Sequence, residues 1–502
     1  MSDIKTVFRD LGSIFIVVGF VCLASILVPL YFNEYTGLFK PCGIIPILLT
    51  SSLFISLGMP LYFYFKDADR TDFKSAMVTA ALSWLCMSLF TTIPFLMMPI
   101  DDAGTKMDFL SAFFESMSGW TGTGLTMILH TSQLSHTLQF WRTMIQWVGG
   151  VGVIVLTLSI LARPGTGSYV LYHGEARDQK THPSVVSTVR TIWWIYIVYS
   201  IIGVLGLAGL GALFPADNIG GWEALNHALT AIATGGFSVT DNSLIGYGAA
   251  PLIFILLLMV LGAIAFKAHY FLFKGNFKKF FYDSQLRAMI MLLILGSIGL
   301  SFFMMSSYGN VWVDSFGAAG FQFVSALTCT GFASADIPAW TETGKLILSF
   351  AMVIGGAAGS TAGGIKLYRA ILLFKGLDWR IKRNISSPNR VFVHKLGTRP
   401  LKNDEAMDLI NEAATISFMW VLILIAGVLV VSYVYPTQTL GSIVFEVCSA
   451  QGNVGLSAGI TSISMDPVAK IMLIFNMWIG RLEIIPIVVL FRSFFGVRRN
   501  VI

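Results

Sequence analysis

The sequence has little charge for its length: only 12% of its 502 residues are Asp, Glu, Lys or Arg, about half the fraction that is usual in soluble domains. Apolar residues make up 55% of the chain, and the mean hydropathy is +0.75. A chain of this composition cannot hide its apolar surface in one water-facing globule. The composition therefore excludes a soluble protein and predicts an integral membrane protein.

Cysteine is scarce, and the common catalytic motifs are missing. The sequence contains no Walker A, H-E-x-x-H or G-x-S-x-G motif, so it predicts no nucleotide site, no organic cofactor and no enzymatic activity. The cysteines are scattered, without a C-x-x-C pair or nearby histidine at metal-ligand spacing, which predicts neither a disulfide framework nor a zinc site. They are Cys22, Cys42, Cys86, Cys329 and Cys448.

What the chain has instead is long apolar runs. A helix needs about 20 apolar residues to cross a bilayer, and ten runs of about this length predict ten transmembrane helices. The first run is too long and too uniform for a cleaved signal peptide, so we expect it to be retained. The predicted spans are 11–33, 43–65, 76–98, 138–162, 189–213, 250–273, 286–308, 344–374, 407–435 and 467–495.

The net charge of +6 comes from basic loops. Most Lys and Arg residues fall near the two termini and in the segments 66–74, 163–190, 274–287 and 366–402. By the positive-inside rule, these segments and both termini are cytoplasmic, and an even number of spans agrees with that orientation. No aromatic-basic pattern indicates binding to nucleic acid.

Four shorter apolar runs fall on the predicted outer side, and their length is typical of re-entrant segments. Each is followed by a polar tail in which one glycine precedes Leu or Phe. The runs and their tails are 108–119 with TGTGLT, 221–233 with ATGGFS, 314–328 with TCTGFA and 440–450 with GNVGLS. After an extra helix pair at 11–65, the chain thus repeats one unit four times: span, short helix, glycine-containing segment, span.

The four tails predict a cation filter made of backbone carbonyls. Irregular backbone at membrane depth is tolerated only inside protein or beside water, so we expect the four segments to converge on one axis. There a ring of carbonyls can replace the water shell of a monovalent cation, and glycine reaches the required backbone angles. One isolated segment would favour close helix packing instead, but four copies favour a filter. The predicted filter residues are Thr123, Gly124, Gly235, Gly236, Thr330, Gly331, Val454 and Gly455.

We expect the residues beside the filter to support it. They are Thr121, Gly122, Leu125, Thr234, Phe237, Cys329, Phe332, Asn453 and Leu456.

The stretch GGAAGSTAGGIKLYR, residues 355–369, predicts a break in the span 344–374. Ten consecutive residues here are Gly, Ala, Ser or Thr, and each glycine weakens a helix by roughly 0.5–1 kcal/mol relative to alanine. We expect a loop under the filter that closes the pore and moves aside to open it; a close-packed helix crossing is the alternative. The predicted gate residues are Gly355, Gly356, Gly359, Ser360, Thr361, Gly363, Gly364 and Arg481.

Arg481 lies in the middle of a predicted span, where an arginine usually faces a cavity or a partner. It is expected below the filter, repelling cations or anchoring the gate loop. Pairing with a carboxylate of a short helix, such as Glu446, is the alternative. Lys366 and Arg369 are expected as charges at the cytoplasmic end of their helix.

The motifs ESMSGWTGTGLT, HALTAIATGGFS, GSTAGGIK and GRLEIIP resemble those of the superfamily of K+ transporters and channels that includes Trk, Ktr and plant HKT proteins. The resemblance covers residues 70–495, and the extra N-terminal helix pair resembles the bacterial Trk membrane subunit. It implies K+ as the ion, a homodimer with one pore in each protomer, and a cytoplasmic ring of nucleotide-binding regulatory subunits. The implied K+ ligands are Thr123, Gly124, Gly236, Gly331 and Gly455.

Details of the motifs refine this resemblance. HKT-type relatives with a Na+ preference have Ser at the first filter position, whereas this chain has Gly124, which favours K+. The GNVGLS tail is more similar to Ktr proteins than to Trk proteins. Gly122 and Cys329 stand where Thr or Ser is usual, which leaves the choice of regulatory subunit open.

The sequence thus predicts an all-α membrane protein that takes up potassium across the plasma membrane through a gated pore. The alternative is a symporter coupled to H+ or Na+, which would use a titratable carboxylate within the membrane; Glu483 is the main candidate. The predicted units are 1–70 for the N-terminal helix pair, then 71–165, 166–275, 276–402 and 403–502 for the four pore repeats.

Overall fold

The computed structural model describes residues 2–34, 43–152, 185–217, 219–309, 311–386, 394–396 and 399–494. Several predicted features lie outside them: Cys42, the part of the predicted span 138–162 that follows Gly152, most of the basic loop 163–190 and the C-terminal tail. Helices dominate the described residues, and strands β1 (His394–Leu396) and β2 (Arg399–Leu401) form one antiparallel pair.

The α-helices follow one another along the chain. They are α1 Ser2–Ala24, α2 Leu27–Tyr31, α3 Ile44–Tyr64, α4 Phe73–Phe90, α5 Ile93–Met97, α6 Phe109–Thr121, α7 His136–Val151, α8 Val185–Leu213, α9 Gly221–Ile232, α10 Ala249–Ala263, α11 Phe266–Phe273, α12 Phe277–Phe281, α13 Ser284–Met304, α14 Trp312–Leu327, α15 Glu342–Ile354, α16 Leu367–Ile385, α17 Asn403–Val434, α18 Leu440–Gln451, α19 Pro467–Arg481 and α20 Ile485–Phe494.

Many of these helices have the length and composition of membrane spans. Among the described residues, six helical stretches are long and apolar enough to cross a bilayer, and eight if each of two bent pairs counts as one span. The bent pairs are α10 with α11 and α19 with α20. The protein is therefore a multi-pass membrane protein.

Two predicted spans differ from the structure, because they are bent rather than straight. The chain turns by 105° between α10 and α11, within 250–273, and by 111° between α19 and α20, within 467–495. At the first bend, Ile264 and Ala265 have extended backbone angles. At the second, Glu483 and Ile484 are left-handed. Each bent pair together is long and apolar enough for one span, although Arg481 and Glu483 interrupt the second, so a hydropathy pattern reads each pair as one span.

The predicted span 344–374 consists of two helices, α15 and α16, with residues 355–366 between them in no regular helix. Three glycines of this segment are left-handed: φ is 70° at Gly355, 77° at Gly359 and 78° at Gly364. Other residues pay a steric penalty for this conformation. The glycine-rich stretch thus forms irregular backbone between two helices.

The N-terminal helices α1 and α3 pack closely through small residues. A side chain at Gly12 would collide with the backbone of α3 near Tyr62, and one at Gly58 would collide with the backbone of α1. Small residues let the backbones of membrane helices approach in this way. Below this contact, Asp10 accepts a hydrogen bond from Thr71 at 2.7 Å, which ties α1 to the start of α4.

The four short helices α6, α9, α14 and α18 lie where the sequence predicts short apolar segments. Two of them begin at a side-chain cap: Asp108 accepts from the N–H groups of Leu110 and Ser111, and Thr439 accepts from the N–H of Ser442. Such caps satisfy N–H groups that have no partner within the helix. The C-terminal ends of all four helices are buried in the core.

Candidate cation site

The four short helices end in the same way. In each, the N–H of the residue before the filter glycine donates to a carbonyl five residues back, at 2.9 Å. The residue two positions before the glycine is left-handed in every case. The donor–acceptor pairs are Thr123–Ser118, Gly235–Thr230, Thr330–Ser325 and Val454–Ser449, and the left-handed residues are Gly122, Thr234, Cys329 and Asn453.

The four segments that follow these helices meet in a closed ring. All four filter glycines are left-handed, with φ of 89° at Gly124, 72° at Gly236, 87° at Gly331 and 101° at Gly455. A methyl group on any one of them would overlap a backbone carbonyl oxygen of the next segment. These pairs are Gly124 with Gly235, Gly236 with Thr330, Gly331 with Val454, and Gly455 with Thr123. The structure therefore brings the carbonyl before each glycine against the neighbouring segment.

The supporting residues predicted from the sequence surround this ring. Each filter glycine is followed by a buried apolar side chain. Hydroxyl groups pair on the other side: Thr121 with Thr123 at 2.7 Å, with Asn453 donating to Thr123 at 3.0 Å. The four buried apolar residues are Leu125, Phe237, Phe332 and Leu456.

A cavity of about 230 Å³ opens onto the ring and is lined by all four filter glycines. Since a water molecule occupies about 30 Å³ in the liquid, the cavity has room for several. Among the described residues, no group of three or more His, Cys, Asp or Glu side chains is placed to hold a metal ion. The oxygen atoms that the four segments bring against one another at the ring are the backbone carbonyls of Thr123, Gly235, Thr330 and Val454.

Asp241 lies in the wall of this cavity. Its carboxylate accepts from the N–H of Ser132 at 2.8 Å and lies 3.4 Å from Nδ1 of His130. Partial burial raises the pKa of Asp241, but the hydrogen bonds from Ser132 and His130 outweigh it and hold this pKa below its usual range. The group is thus an anion at neutral pH and attracts cations to the mouth of the cavity.

Sequence reasoning missed one polar side chain in each short helix that holds the segment beyond the filter glycine. The side chain stands nine residues before that glycine in every case, so its signal was a polar residue at a constant distance. The pairs are Glu115 with Thr126 and the N–H of Met127, His227 with Ser238, Gln322 with Ser334, and Glu446 with Ser457 and the N–H of Ala458.

Glu115 also forms a buried ion pair with Arg142, at 2.8 Å. Arg142 reaches the second segment as well, where it donates to the carbonyl of Ser238 at 2.8 Å, and its guanidinium lies 4.1 Å from the ring centre of Phe237. The side chain of Arg142 thus links the first filter segment to the second.

The segment 355–366 lies directly beneath the filter segments. The N–H of Thr361 donates to the carbonyl of Gly262 at 3.2 Å, and the N–H of Ala357 donates to that of Ala263 at 3.0 Å. The Thr361 hydroxyl accepts from Thr234, beside the filter, at 2.9 Å. The segment therefore satisfies the last carbonyls of α10, which explains why α10 ends there instead of running into α11.

Arg481 holds this segment in place. Its guanidinium donates to the carbonyls of Thr361 at 2.8 Å, Gly149 at 2.6 Å and Gly150 at 2.8 Å. Gly149 and Gly150 belong to the last turn of α7. Arg481 therefore caps α7 and at the same time anchors the segment 355–366. The alternative pairing with Glu446 is wrong, because that carboxylate lies among residues 457–461.

The profile of the TrkH family, described as a cation transport protein, matches residues 45–496. The chain belongs to the TrkH family.

Individual relatives cover nearly the whole chain. A protein of Methanocaldococcus jannaschii described as an uncharacterized cation transporter is 34% identical over 499 residues, which covers 98% of this chain and 96% of that protein. The Trk system potassium uptake protein TrkH of Escherichia coli (strain K12) is 29% identical over 463 residues, covering 89% of this chain and 91% of that protein. The crystal structure of the potassium transporter TrkH from Vibrio parahaemolyticus matches with a TM-score of 0.79 and 25% identity, covering 97% of this chain and 98% of that one.

One further cluster in this TrkH-family chain was not foreseen. Glu483, at the bend between α19 and α20, pairs with Lys366 at 2.9 Å and also with Arg369. Both side chains are mostly buried against this carboxylate, a pairing that the expectation of charges at the cytoplasmic end of their helix did not include. The cluster joins the start of α16 to the bend between α19 and α20.

Proposed function

We propose that this chain is the membrane pore subunit of a potassium uptake system, in which K+ passes through the ring of backbone carbonyls. The observation that carries the proposal is the closed ring of left-handed glycines, each set against the preceding carbonyl of the next segment. Relatives named as potassium uptake proteins support K+ as the ion.

The ring fits a monovalent cation chemically. The carbonyls of Thr123, Gly235, Thr330 and Val454 are neutral oxygen ligands that replace water around a dehydrated ion. The short helices end at the ring, so their partly negative C-terminal ends stabilise positive charge there. The absence of a side chain at Gly124, Gly236, Gly331 and Gly455 keeps the ring open. Because position 124 is glycine and not serine, no side-chain hydroxyl at this position competes with the carbonyls for the ion.

The proposed gate consists of residues 355–364 together with Arg481. The loop lies beneath the filter segments and is tied to them through Thr234 and Thr361. Arg481 places a positive charge beside the loop and holds it by the Thr361 carbonyl. Opening requires the loop to move away from the ring and these hydrogen bonds to break.

The four short helices and their segments support an arrangement of four pore repeats, at 71–165, 166–275, 276–402 and 403–502, behind the helix pair 1–70. With the bent and broken helices each counted once, this arrangement has ten membrane spans. We place the protein in the plasma membrane with both termini in the cytoplasm, following the basic loops. We further propose a homodimer and a cytoplasmic ring of nucleotide-binding regulatory subunits, as the Trk and Ktr resemblance implies.

A symporter coupled to H+ or Na+ is the competing function. Its main candidate carboxylate, Glu483, is engaged by two cations, Lys366 and Arg369. These partners stabilise the ionised form, which does not suit a group that must take up and release a proton during transport.

The deciding experiment is ion flux into proteoliposomes that contain only the purified chain. K+ flux that follows a clamped voltage and is unchanged by a pH or Na+ gradient supports the pore. Flux that is driven by a pH or Na+ gradient contradicts the pore and supports coupled transport. Na+ flux equal to K+ flux contradicts the proposed filter.

A further inference from the structure

Gln146, on α7, binds the backbone on both sides of the second filter glycine. Its side-chain N–H donates to the carbonyl of Gly235 at 2.6 Å, and its side-chain oxygen accepts from the N–H of Phe237 at 3.0 Å. The side chain is completely buried. Both ends of the amide are thus fixed by the filter segment that surrounds Gly236.

The Gly235 carbonyl is one of the four that form the ring, and it differs from the other three. Among the described residues, no side-chain hydrogen bond reaches the carbonyls of Thr123, Thr330 or Val454. Gln146 stands 22 residues after the first filter glycine, Gly124. The residues 22 positions after the other three filter glycines are apolar and cannot donate such a hydrogen bond: Leu258, Val353 and Met477.

We propose that Gln146 is a positioning residue for ion selectivity, holding the Gly235 carbonyl at a fixed place in an unequal ring. The inference rests on the proposed function, since it assigns a role within that filter. A carbonyl that accepts a hydrogen bond from a fixed amide N–H is less free to follow the ion. The oxygen therefore cannot move inward to contact a smaller cation such as Na+, which favours the larger K+.

Burial strengthens this restraint. Within a low-dielectric interior a hydrogen bond is electrostatically stronger than in water, and an amide left without partners there is costly. The opposing hydrogen bond from Phe237 fixes which end of the Gln146 amide faces Gly235. The contact is also close, because a methyl group on Gly235 would overlap the Gln146 side chain. Packing alone would therefore be a second explanation, and the test must separate the two.

Two substitutions at one position make this separation. Gln146→Met removes both hydrogen bonds at similar length. Gln146→Glu keeps the size and the acceptor for Phe237, and in its ionised form, measured at a pH high enough to remove the proton that burial favours, it has no donor for the Gly235 carbonyl. The matched control is Gln139→Met, two turns earlier on α7, because Gln139 is also hydrogen-bonded, to Thr131 at 2.8 Å and Trp222 at 2.6 Å, but does not touch the filter.

The measurement is the K+ to Na+ permeability ratio in proteoliposomes, with monodisperse elution as the check on folding. We expect both Gln146 variants to lower the ratio by about two- to tenfold, the range that corresponds to one net hydrogen bond, while Gln139→Met leaves it unchanged. An unchanged ratio in both Gln146 variants overturns the inference. So does a fall with Gln146→Met alone, which would indicate packing, or an equal fall with the control.

The folding of the Gln146 variants and the selectivity of the wild-type chain are measured separately. If neither Gln146 variant yields folded protein, the residue is structural and the inference is overturned. If the wild-type chain shows no K+ preference, the proposed function fails, and the inference fails with it. A selective wild-type chain with unaffected Gln146 variants leaves the proposed function standing and removes only the role of Gln146.

Discussion

At the scale of the residue, the site depends on backbone conformations that side chains disfavour. Each filter segment contains two left-handed residues, the glycine and the residue two positions before it. The second of these is Thr, Cys or Asn in three of the four segments, so burial and hydrogen bonds hold them there against a penalty of roughly 1–3 kcal/mol each. At the glycines, the neighbouring carbonyl leaves no room for a side chain at all.

Gly124→Ser should lower the K+ to Na+ permeability ratio, because its side chain would displace the Gly235 carbonyl. We expect a fall of about tenfold, equivalent to ~1.4 kcal/mol. The matched control is Gly104→Ser, since Gly104 is also left-handed, with φ of 84°, but has nothing within 4 Å of the added side chain. Flux measurements on both proteins check the prediction; equal ratios in the two variants would mean that Gly124 does not face the ion.

Glu115→Gln should destabilise the protein strongly, because it leaves Arg142 buried without its counter-charge. Breaking a buried pair in this way costs about 3–5 kcal/mol. The control is Asp378→Asn, which breaks an exposed pair with Lys382 and should cost below about 1 kcal/mol. Unfolding in mixed micelles measures both.

A double-mutant cycle tests the same pair further. Glu115→Gln combined with Arg142→Gln should be less destabilising than the sum of the single changes, since no charge is then left unpaired. Strict additivity would show that the two groups do not interact in the folded protein.

At the scale of the element, features that depend on neighbouring residues could be predicted from the sequence, whereas features that depend on contacts with distant residues could not. The short helices and glycine tails were placed because apolar length and glycine are visible within a few residues. The bends at 264–265 and 482–484 cannot be predicted in this way, because the helices on the two sides of each bend together have the length and hydropathy of one span, even with Arg481 and Glu483 at the second. Their cause lies elsewhere in the chain: residues 357–361 satisfy the end of α10, and the pairing of Glu483 with Lys366 and Arg369 accompanies the bend after α19.

Arg481 binds the segment 355–366 through the carbonyl of Thr361, and Arg481→Met should release this segment. Methionine keeps an apolar stem near Trp84, which lies 5.3 Å from the guanidinium, but removes the charge and the donors to Thr361, Gly149 and Gly150. We expect basal K+ flux to rise severalfold, since losing hydrogen bonds from a charged donor costs about 1.5–3 kcal/mol each. Arg492→Met, on the exposed face of α20, is the control. Unchanged or lower flux in a folded Arg481→Met protein would contradict a gating role.

At the scale of the whole molecule, chain-wide similarity and local geometry support the same architecture. A TM-score of 0.79 across 97% of the chain at 25% identity means that the arrangement of helices persists although most side chains differ. What is shared is the backbone framework that a carbonyl ring requires. Pairs such as Glu115 with Arg142 and Gln146 with Gly235 could not be read from one sequence, because their partners meet only through that framework.

The orientation of this framework in the membrane can be tested by thiol labelling. In a background without the five native cysteines, Asp102→Cys places a thiol at an exposed position of a loop, and Lys278→Cys places one at an exposed position of the short helix α12. The acidic loop at 101–102 is expected outside, and the basic segment at 274–279 inside, because basic segments between spans are retained in the cytoplasm. An impermeant maleimide should therefore label Asp102→Cys in intact cells and Lys278→Cys only after permeabilisation. The reverse pattern would place the outer cavity and Asp241 on the cytoplasmic side, and the filter would then face the cell interior. Labelling of both in intact cells would contradict an odd number of crossings between the two segments.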